Sequence, residues 1–340
     1  MTNDPVLIIP YMWIGDFVRC HSVVRVLRAQ EPERPVDVLS TSLCAPLADY
    51  MPGVRKAIVV DLPRGRLAMG MQRELAARLK AESYGQTLVM PRTWKAALAP
   101  WLAGIPARTG FVGEMRFGLL NDVRWGEKKL PRMIDQCAAL ALPKDEALPD
   151  KWPVPQLIVP AADAAQWRAR NGLGSGPAVA MAPGAVGPSK RWPASYYSEV
   201  AKQLTAKGIA VWVIGGPGER TLADEIVGAA GARARNLTGT DLRNAILALK
   251  AATAAASNDS GLVHVAAAIG TPTIGIFGPT SAWHWAPLNP LAATIETLTY
   301  VDCRPCHKPV CRVLHHRCMR DIPPARVLAA AEQALAEATR

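Results

Sequence analysis

The 340-residue sequence lacks any apolar run of the roughly 18 residues that a membrane span needs, which excludes an integral membrane protein built on helices. Aromatic residues make up only 6%, and no helix-turn-helix, zinc-finger or RNA-binding signature is present, so a nucleic-acid-binding protein is a poor fit. The opening residues, MTNDPVLIIPY, hold a short apolar run without a basic leader. We therefore expect a first β-strand there and no signal peptide.

The composition is that of a soluble α/β chain with a positive charge. Half of the residues are hydrophobic, and the length suits two domains better than one small core. The net charge of +11 is spread over both halves and favours acidic partners such as a phosphorylated saccharide or an anionic membrane. Seven cysteines are expected to be reduced. We expect a cytoplasmic protein, peripheral to the inner face of the inner membrane.

Short apolar runs alternate with longer helical patterns, which is typical of parallel βαβ units. In the first half, the predicted strands are Val6–Ile9, Val36–Leu39, Ala57–Val60 and Thr87–Met90, and the predicted helices are Phe17–Arg28 and Met69–Glu82. In the second half, the predicted strands are Val179–Ala182, Ile209–Ile214, Ala254–Ser257 and Thr273–Phe277, and the predicted helices are Ala194–Lys207, Ser260–Ile269 and Pro323–Arg340, with Asp321 as a cap of the last.

A segment rich in proline and charge separates the two halves and suits a linker. The sequence therefore predicts an N-terminal Rossmann-like domain at 1–150, a linker region at 151–172 and a C-terminal Rossmann-like domain at 173–322. The final helix, 323–340, could pack against the N-terminal domain. The two parallel sheets are expected to face each other across a cleft, and their ligands are expected at the carboxyl ends of the strands.

The most informative loop is Ser257–Pro272, where a buried strand ends and a short helix begins. Residues 252–300 contain no Lys or Arg, so this region is expected to be well inside the protein. The free N–H groups of a helix start favour an anion, and Ser260 and Gly261 are small enough for a phosphate to approach. Asp259 can accept hydrogen bonds from sugar or ribose hydroxyls. The alternative is that Asp259 or Ser260 only caps the helix.

A second loop, Ala182–Pro193, also follows a strand and leads into a helix. Its backbone is kept free of bulk up to Lys190, whose ammonium could neutralise a diphosphate leaving group. The alternative is an exposed basic loop without a ligand.

A third loop, Pro10–Asp16, follows the first strand and opens into a helix. Asp16 could act as a general base on an acceptor hydroxyl. A helix-capping role for Asp16 fits the spacing equally well.

The stretch Gly216–Thr221 half resembles a dinucleotide fingerprint. Thr221 stands where the last glycine belongs, and the acidic residue about 20 positions later is missing. A dehydrogenase is therefore a poor fit, but Glu219 is a candidate acceptor of hydrogen bonds from a ribose.

Cysteine and histidine are concentrated between Cys303 and Cys318. Cys303, Cys306, Cys311 and Cys318 are a possible ligand set for a structural Zn²⁺, although their spacing matches no standard zinc module. Free thiols in a basic loop are the preferred interpretation. The basic residues of this loop also make it a candidate contact for an acidic acceptor.

Taken together, several motifs resemble the bacterial ADP-heptose:lipopolysaccharide heptosyltransferases, glycosyltransferase family 9. The motifs are WIGD (13–16), GEMRFGLLND (113–122), PGA (183–185), KRWP (190–193), NDSGLVH (258–264) and FGPT (277–280). The GEMR stretch and the Cys/His-rich tail are similar to the type II members, which add the second inner-core heptose. The resemblance implies a GT-B fold and inverting transfer from ADP-heptose, without a catalytic metal, to phosphorylated Kdo-lipid A carrying one heptose.

Residue by residue, the resemblance implies Asp16 as the base and Lys190 as the lysine at the donor diphosphate. Asp259 would hold the heptose, Ser260 and Gly261 would contact phosphate, and His264 would line the same pocket. Gly184, Ala185 and, with a weaker match, Glu219 complete the expected donor site. Trp13, Arg92 and Arg116 are the expected acceptor-binding residues. The absence of an Asp-x-Asp pair agrees with a leaving group stabilised without Mg²⁺.

Two classes of alternative remain. Within enzymes, the chain could be a type I heptosyltransferase, another GT-B nucleotide-sugar transferase or a nucleotide-sugar epimerase, although an epimerase would normally need an intact dinucleotide fingerprint. Outside enzymes, a nucleotide-sugar binding protein would keep Asp259 and the helix start but has no need of Asp16.

Overall fold

The computed structural model describes residues 4–338. The chain divides into two compact units, Met1–Pro155 and Gln156–Arg340. Each unit contains one six-stranded parallel sheet, which confirms the predicted α/β class. None of the helices within residues 4–338 has the length and apolarity that a bilayer crossing requires.

The sheet of the first unit has the strand order β3-β2-β1-β4-β5-β6, with every neighbouring pair parallel. Its strands are β1 (Val6–Ile9), β2 (Val36–Ser40), β3 (Val54–Val59), β4 (Gln86–Val89), β5 (Ala107–Phe111) and β6 (Asp122–Arg124). All four residues of β1 are buried, as a central strand covered on both faces requires. Strands β5 and β6 were not predicted, because their sequences are too polar to appear as short apolar runs.

The helices of the first unit are α1 (Ile14–Gln30), α2 (Ala45–Ala48), α3 (Met69–Ala81), α4 (Trp94–Leu102) and α5 (Met133–Ala138). Helix α1 begins three residues before the predicted start, because Trp13 is the last extended residue. The core of this unit joins β1, β2 and β4 to α3 and α4 through Leu7, Ile9, Leu39, Leu75, Leu79 and Ala97, among others.

The sheet of the second unit has the order β12-β11-β10-β7-β8-β9 and is also parallel throughout. Its strands are β7 (Ala178–Ala182), β8 (Ala210–Val213), β9 (Ala234–Asn236), β10 (Ala254–Asn258), β11 (Thr273–Phe277) and β12 (Ala292–Glu296). Its helices are α6 (Ala161–Arg170), α7 (Ala194–Ala206), α8 (Arg220–Ala230), α9 (Leu242–Ala251), α10 (Gly261–Ile269), α11 (Ala282–Trp285), α12 (Arg317–Arg320) and α13 (Pro324–Ala338).

The segment predicted as a linker, 151–172, contains helix α6 and is therefore shorter as a linker than we expected. Trp167 of this helix is buried, and its Nε1 donates a hydrogen bond to Asn244 Oδ1 at 2.8 Å. The linker was predicted because neighbouring prolines dominate the composition of this segment. The amphipathic helix that follows them packs in the second unit.

The C-terminal helix α13 belongs to the second unit, where Val327 and Leu335 are part of the core. Its apolar stripe is buried against α7 and the second sheet. The helix begins at Pro324, so Asp321 is not its cap; the Asp321 carboxylate accepts a hydrogen bond from Arg317 at 3.0 Å. Residues 339 and 340 of the predicted helix lie outside the described part.

In both sheets the strand order reverses at one place, between β1 and β4 in the first and between β7 and β10 in the second. Loops that leave the carboxyl ends of these strands diverge and open a crevice, which is where open α/β sheets bind ligands. The chain places Asp16 after β1, Lys190 after β7 and Asp259 after β10.

Candidate active site

Asn258 joins the two loops at the switch point of the second sheet. It is fully buried at the end of β10, and its Oδ1 accepts hydrogen bonds from Trp192 N at 3.2 Å and the Tyr197 hydroxyl at 3.1 Å. Its Nδ2 donates to the carbonyl oxygen of Pro183 at 2.6 Å. One amide thus fixes the loop after β7 and the start of α7 relative to β10, a function that we did not assign to Asn258 from the sequence.

The next residue, Asp259, forms an ion pair with Lys190. The distance from Lys190 Nζ to Asp259 Oδ2 is 2.8 Å, and the Thr280 hydroxyl donates to the same oxygen at 2.7 Å. The Asp259 side chain is buried, whereas that of Lys190 is one-third exposed. The ammonium and the hydroxyl offset the cost of burying the carboxylate. The structure therefore brings two predicted site residues together and adds Thr280, which sequence reasoning missed.

Helix α10 begins immediately after this pair and runs from Gly261 to Ile269. Within the described chain, Ser260 makes no side-chain cap; its hydroxyl lies 3.1 Å from Ser257 Oγ. The Ser260 side chain therefore does not occupy the first-turn N–H groups, which a helix start can offer to an anion. The helix ends at Gly270, whose φ of 86° suits glycine. His264 is buried one turn into the same helix.

Gly184 and Glu219 come from neighbouring strand ends, after β7 and β8. The Glu219 carboxylate accepts a hydrogen bond from Gly216 N–H and lies against Gly184, where a Cβ would overlap Oε1. A larger residue at position 184 would displace the Glu219 carboxylate. Ala185 is buried, and its carbonyl oxygen accepts a hydrogen bond from Arg191 Nε at 3.0 Å.

The Cys/His-rich segment supports the loop that carries Lys190. Ser189 N–H donates to Pro309 O at 3.1 Å, and His316 Nε2 lies 2.7 Å from Ser189 O. Burial lowers the pKa of the His307 imidazole, and the positive charges of His284 and Lys190 add to this shift. We therefore expect a neutral His307 at pH 7.

The less favoured alternative, a structural zinc site at the four cysteines, finds no support in the described part of the chain. Within residues 4–338, no three Cys, His, Asp or Glu side chains are grouped so that they could hold a metal ion. Cys303, Cys306, Cys311 and Cys318 are all free thiols, and burial raises the pKa of Cys318 to about 11.

In the first unit, Asp16 lies in the first turn of α1, directly after the carboxyl end of β1. The residue at the cap position is Trp13, so the capping alternative for Asp16 is wrong. Arg19 forms an ion pair with Asp16 Oδ1, and both side chains are largely buried. This contact orients the carboxylate, and the helix dipole favours its negative charge.

Two of the predicted acceptor-binding residues are exposed. Trp13 is 48% exposed, and the Arg64 guanidinium stacks over its ring at 4.3 Å from the centroid. Arg92 is half-exposed and pairs with Glu127, with 3.2 Å between Nε and Oε2.

Arg116 is different, and its predicted acceptor contact is wrong. The residue is 2% exposed, and its guanidinium donates to the backbone carbonyl oxygens of Phe111 and Pro91. These bonds satisfy the buried charge and hold the 112–121 loop in place, so Arg116 is structural.

A cavity of about 450 Å³ lies at the carboxyl ends of β1, β2 and β4 in the first unit. Its wall is mainly apolar, and its rim carries charges; the lining includes Ile9, Met12, Leu39, Leu75, Arg64, Arg66, Lys95 and Glu114. Gln72 is buried in the wall, and its Oε1 finds no donor among residues 4–338. The cavity can therefore take a ligand that has apolar faces, anionic groups and at least one hydroxyl.

Two doubly wound parallel sheets in one chain are the architecture of the GT-B fold, which a solved glycosyltransferase structure shares, and this confirms the predicted fold class. The profile of glycosyltransferase family 9 (heptosyltransferase) matches residues 72–316. The chain belongs to this family.

Individual relatives match this chain over nearly its whole length. The chain is 38% identical to lipopolysaccharide heptosyltransferase 2 of Escherichia coli K12, over 95% of this chain and 96% of that protein. It is 37% identical to the protein of the same name from Salmonella typhimurium LT2, over 98% and 99%. The solved structure of E. coli ADP-heptose LPS heptosyltransferase II superposes with a TM-score of 0.88 at 35% identity, covering 99% of this chain and all of that one.

Proposed function

We propose that this protein transfers L-glycero-D-manno-heptose, with inversion, from ADP-heptose to the first heptose of the lipopolysaccharide inner core. The observation that carries the proposal is the ion pair of Lys190 with Asp259 at the start of α10, which provides a cation, a carboxylate and free N–H groups in one place. The two relatives named lipopolysaccharide heptosyltransferase 2 support the choice of sugar and acceptor.

The donor diphosphate binds at the start of α10, where Ser260 and Gly261 leave room for phosphate oxygens. Lys190 can turn from Asp259 toward the diphosphate, because a third of its side chain is exposed. As the bond from heptose C1 to the diphosphate breaks, negative charge builds on the leaving group, and the ammonium and the helix dipole stabilise it. These groups do the work that Mg²⁺ does in enzymes with an Asp-x-Asp pair.

Asp259 then accepts hydrogen bonds from heptose hydroxyls, with Thr280 holding one of its oxygens in place. Glu219 Oε2 accepts a hydrogen bond from Gly216 N–H, and Oε1 lies beside Gly184. Oε1 can therefore accept a hydrogen bond from a ribose hydroxyl. His264 and Ala185 complete the wall of the donor site.

The acceptor binds on the first unit. Asp16 takes the proton from the attacking hydroxyl, whose oxygen forms the new bond to heptose C1 on the face opposite ADP. Trp13 offers a flat apolar surface to a sugar ring, and Arg92 offers a cation to an acidic group. The cavity beside them, with Arg64, Arg66 and Lys95 at its rim, suits an anionic saccharide that also has hydroxyl groups. Because this acceptor is phosphorylated and anchored by lipid, the enzyme acts at the inner face of the inner membrane.

Acceptors that carry zero, one or two heptoses test the proposal when they are incubated with ADP-heptose and the purified protein. We expect a product from the one-heptose acceptor alone. Transfer to the acceptor without heptose would assign the chain to the type I activity instead.

The non-enzymatic alternative is separated by ADP release. A transferase releases ADP from ADP-heptose when the acceptor is present, whereas a nucleotide-sugar binding protein binds ADP-heptose and releases none. Binding without any acceptor-dependent ADP would overturn the proposal.

A further inference from the structure

Three large apolar side chains are exposed on two loops of the first unit. Met115 is 90% exposed, Phe117 is 63% exposed and Trp125 is 68% exposed. The ring centroids of Phe117 and Trp125 are 6.4 Å apart, so the two loops that carry them form one continuous patch. Exposed apolar groups of this size in contact with one another mark an interaction surface.

Buried hydrogen bonds fix the position of the first loop, which carries Met115 and Phe117. The Arg116 guanidinium is bound inside the protein to the carbonyl oxygens of Phe111 and Pro91, so its sequence neighbours Met115 and Phe117 are left on the outside. Gly113 lets this loop approach the backbone closely, since a Cβ there would overlap the Arg92 carbonyl oxygen. The exposure of Met115 and Phe117 is thus built into the fold.

The second loop has an anchor of the same kind. Glu127 is buried and binds Arg92, and the Tyr11 hydroxyl also hydrogen-bonds to its carboxylate. Trp125 on one side of this anchor and Lys128 and Lys129 on the other are exposed. Because Glu127 is neutralised internally by Arg92, the charge that the loop shows to solvent is that of the two lysines.

We infer that Met115, Phe117, Trp125, Lys128 and Lys129, the aromatic–lysine surface, dock the protein on an anionic lipid bilayer. Tryptophan and phenylalanine are favoured at the boundary between headgroups and acyl chains, and each lysine near an anionic surface strengthens binding about fivefold. The inference rests on the proposed function, in which the acceptor is anchored in such a bilayer.

The position of this surface fits a lipid-anchored acceptor. Its two anchors, Arg116 and Glu127, attach to Pro91 and Arg92, which lie just past the carboxyl end of β4, the neighbour of β1 in the sheet. Asp16 follows β1, so the aromatic–lysine surface and the proposed base lie toward the same edge of one sheet. A bilayer bound here would bring the saccharide headgroup to the acceptor side.

The test measures sedimentation of the full-length protein with vesicles of phosphatidylcholine alone and of phosphatidylcholine with about a third phosphatidylglycerol. We expect at least tenfold tighter binding to the anionic vesicles, weakened by salt. Phe117→Ala combined with Trp125→Ala should weaken this binding at least tenfold. Lys128→Ala combined with Lys129→Ala should weaken it about 25-fold at low salt and reduce its salt dependence.

Trp283→Ala is the matched control, because Trp283 is 67% exposed and lies on the second unit. It should bind vesicles like the wild type. Unchanged binding of the Phe117/Trp125 variant would overturn the inference, as would a wild-type dimer that this variant converts to a monomer, since the surface would then serve a second copy.

Transfer to a deacylated, water-soluble acceptor separates the inference from the proposed function. The Phe117/Trp125 and Lys128/Lys129 variants should retain that transfer and lose it only with acceptor presented in vesicles. If the wild type fails with the soluble acceptor, the proposed function fails, whatever the vesicles show.

Discussion

Replacing Lys190 by alanine should disable transfer far more than it destabilises the fold. The change leaves the buried Asp259 carboxylate with the Thr280 hydroxyl but without its cation. Removing one partner of a wholly buried pair costs about 3–5 kcal/mol, but solvent reaches a third of the Lys190 side chain. We therefore expect a loss of about 1–2 kcal/mol in the free energy of unfolding. The loss of one cation from the leaving diphosphate should lower kcat about 10²–10³-fold.

The assay follows ADP release with saturating ADP-heptose and acceptor, beside a thermal melt of each variant. Lys207→Ala is the matched control, because Lys207 pairs with Glu332 on the surface of the same unit and should affect neither readout. Lys190→Arg keeps the cation and should recover part of the rate. If Lys190→Ala remains folded and turns over within threefold of the wild type, Lys190 does not stabilise the leaving group.

Three further predictions concern metal, the donor loop and pH. Transfer should persist in excess EDTA, because Lys190 replaces Mg²⁺; a loss of rate that Mg²⁺ restores would refute this. Gly184→Ala should push the Glu219 carboxylate aside and lower kcat/KM for ADP-heptose by up to about 10²-fold. The control Gly228→Ala should have no effect, because a Cβ there meets nothing within 4 Å. Equal kinetics for the two variants would contradict the proposed role of Glu219. Burial lowers the pKa of His21 from 6.5 to about 4, so between these pH values the unfolded chain binds a proton that the folded chain does not. The free energy of unfolding should therefore fall with decreasing pH, by up to about 3 kcal/mol. Urea titrations should find a smaller pH dependence in His21→Gln, and an equal pH dependence in the wild type and this variant would show that the pKa shift is absent.

The central strands and the loops that follow them could be predicted from the sequence, because a strand buried on both faces is a simple local pattern. Strand β1 and strand β11 match their predicted bounds, since each is a short apolar run buried on both faces. Lys190 and Asp259 were placed on loops that follow two such strands, and the parallel sheet brings the ends of these neighbouring strands together.

The remaining features depend on long-range contacts that no local pattern encodes. Arg116 was assigned to the acceptor site from the resemblance alone, yet two backbone carbonyl oxygens satisfy its guanidinium inside the protein. Asn258 and Thr280 were quoted within motifs but not given roles. A signal for Thr280 was present: it follows β11, the neighbour of β10 in the sheet, and so had to lie near Asp259.

Whether Asp16 removes the acceptor proton is decided by a single-turnover experiment on Asp16→Asn with ADP-heptose and the one-heptose acceptor. We predict that ADP-heptose binds this variant with the affinity of the wild type while product forms about 10²–10⁴-fold more slowly. Product formation at the wild-type rate would show that the base is elsewhere and would contradict the proposed mechanism.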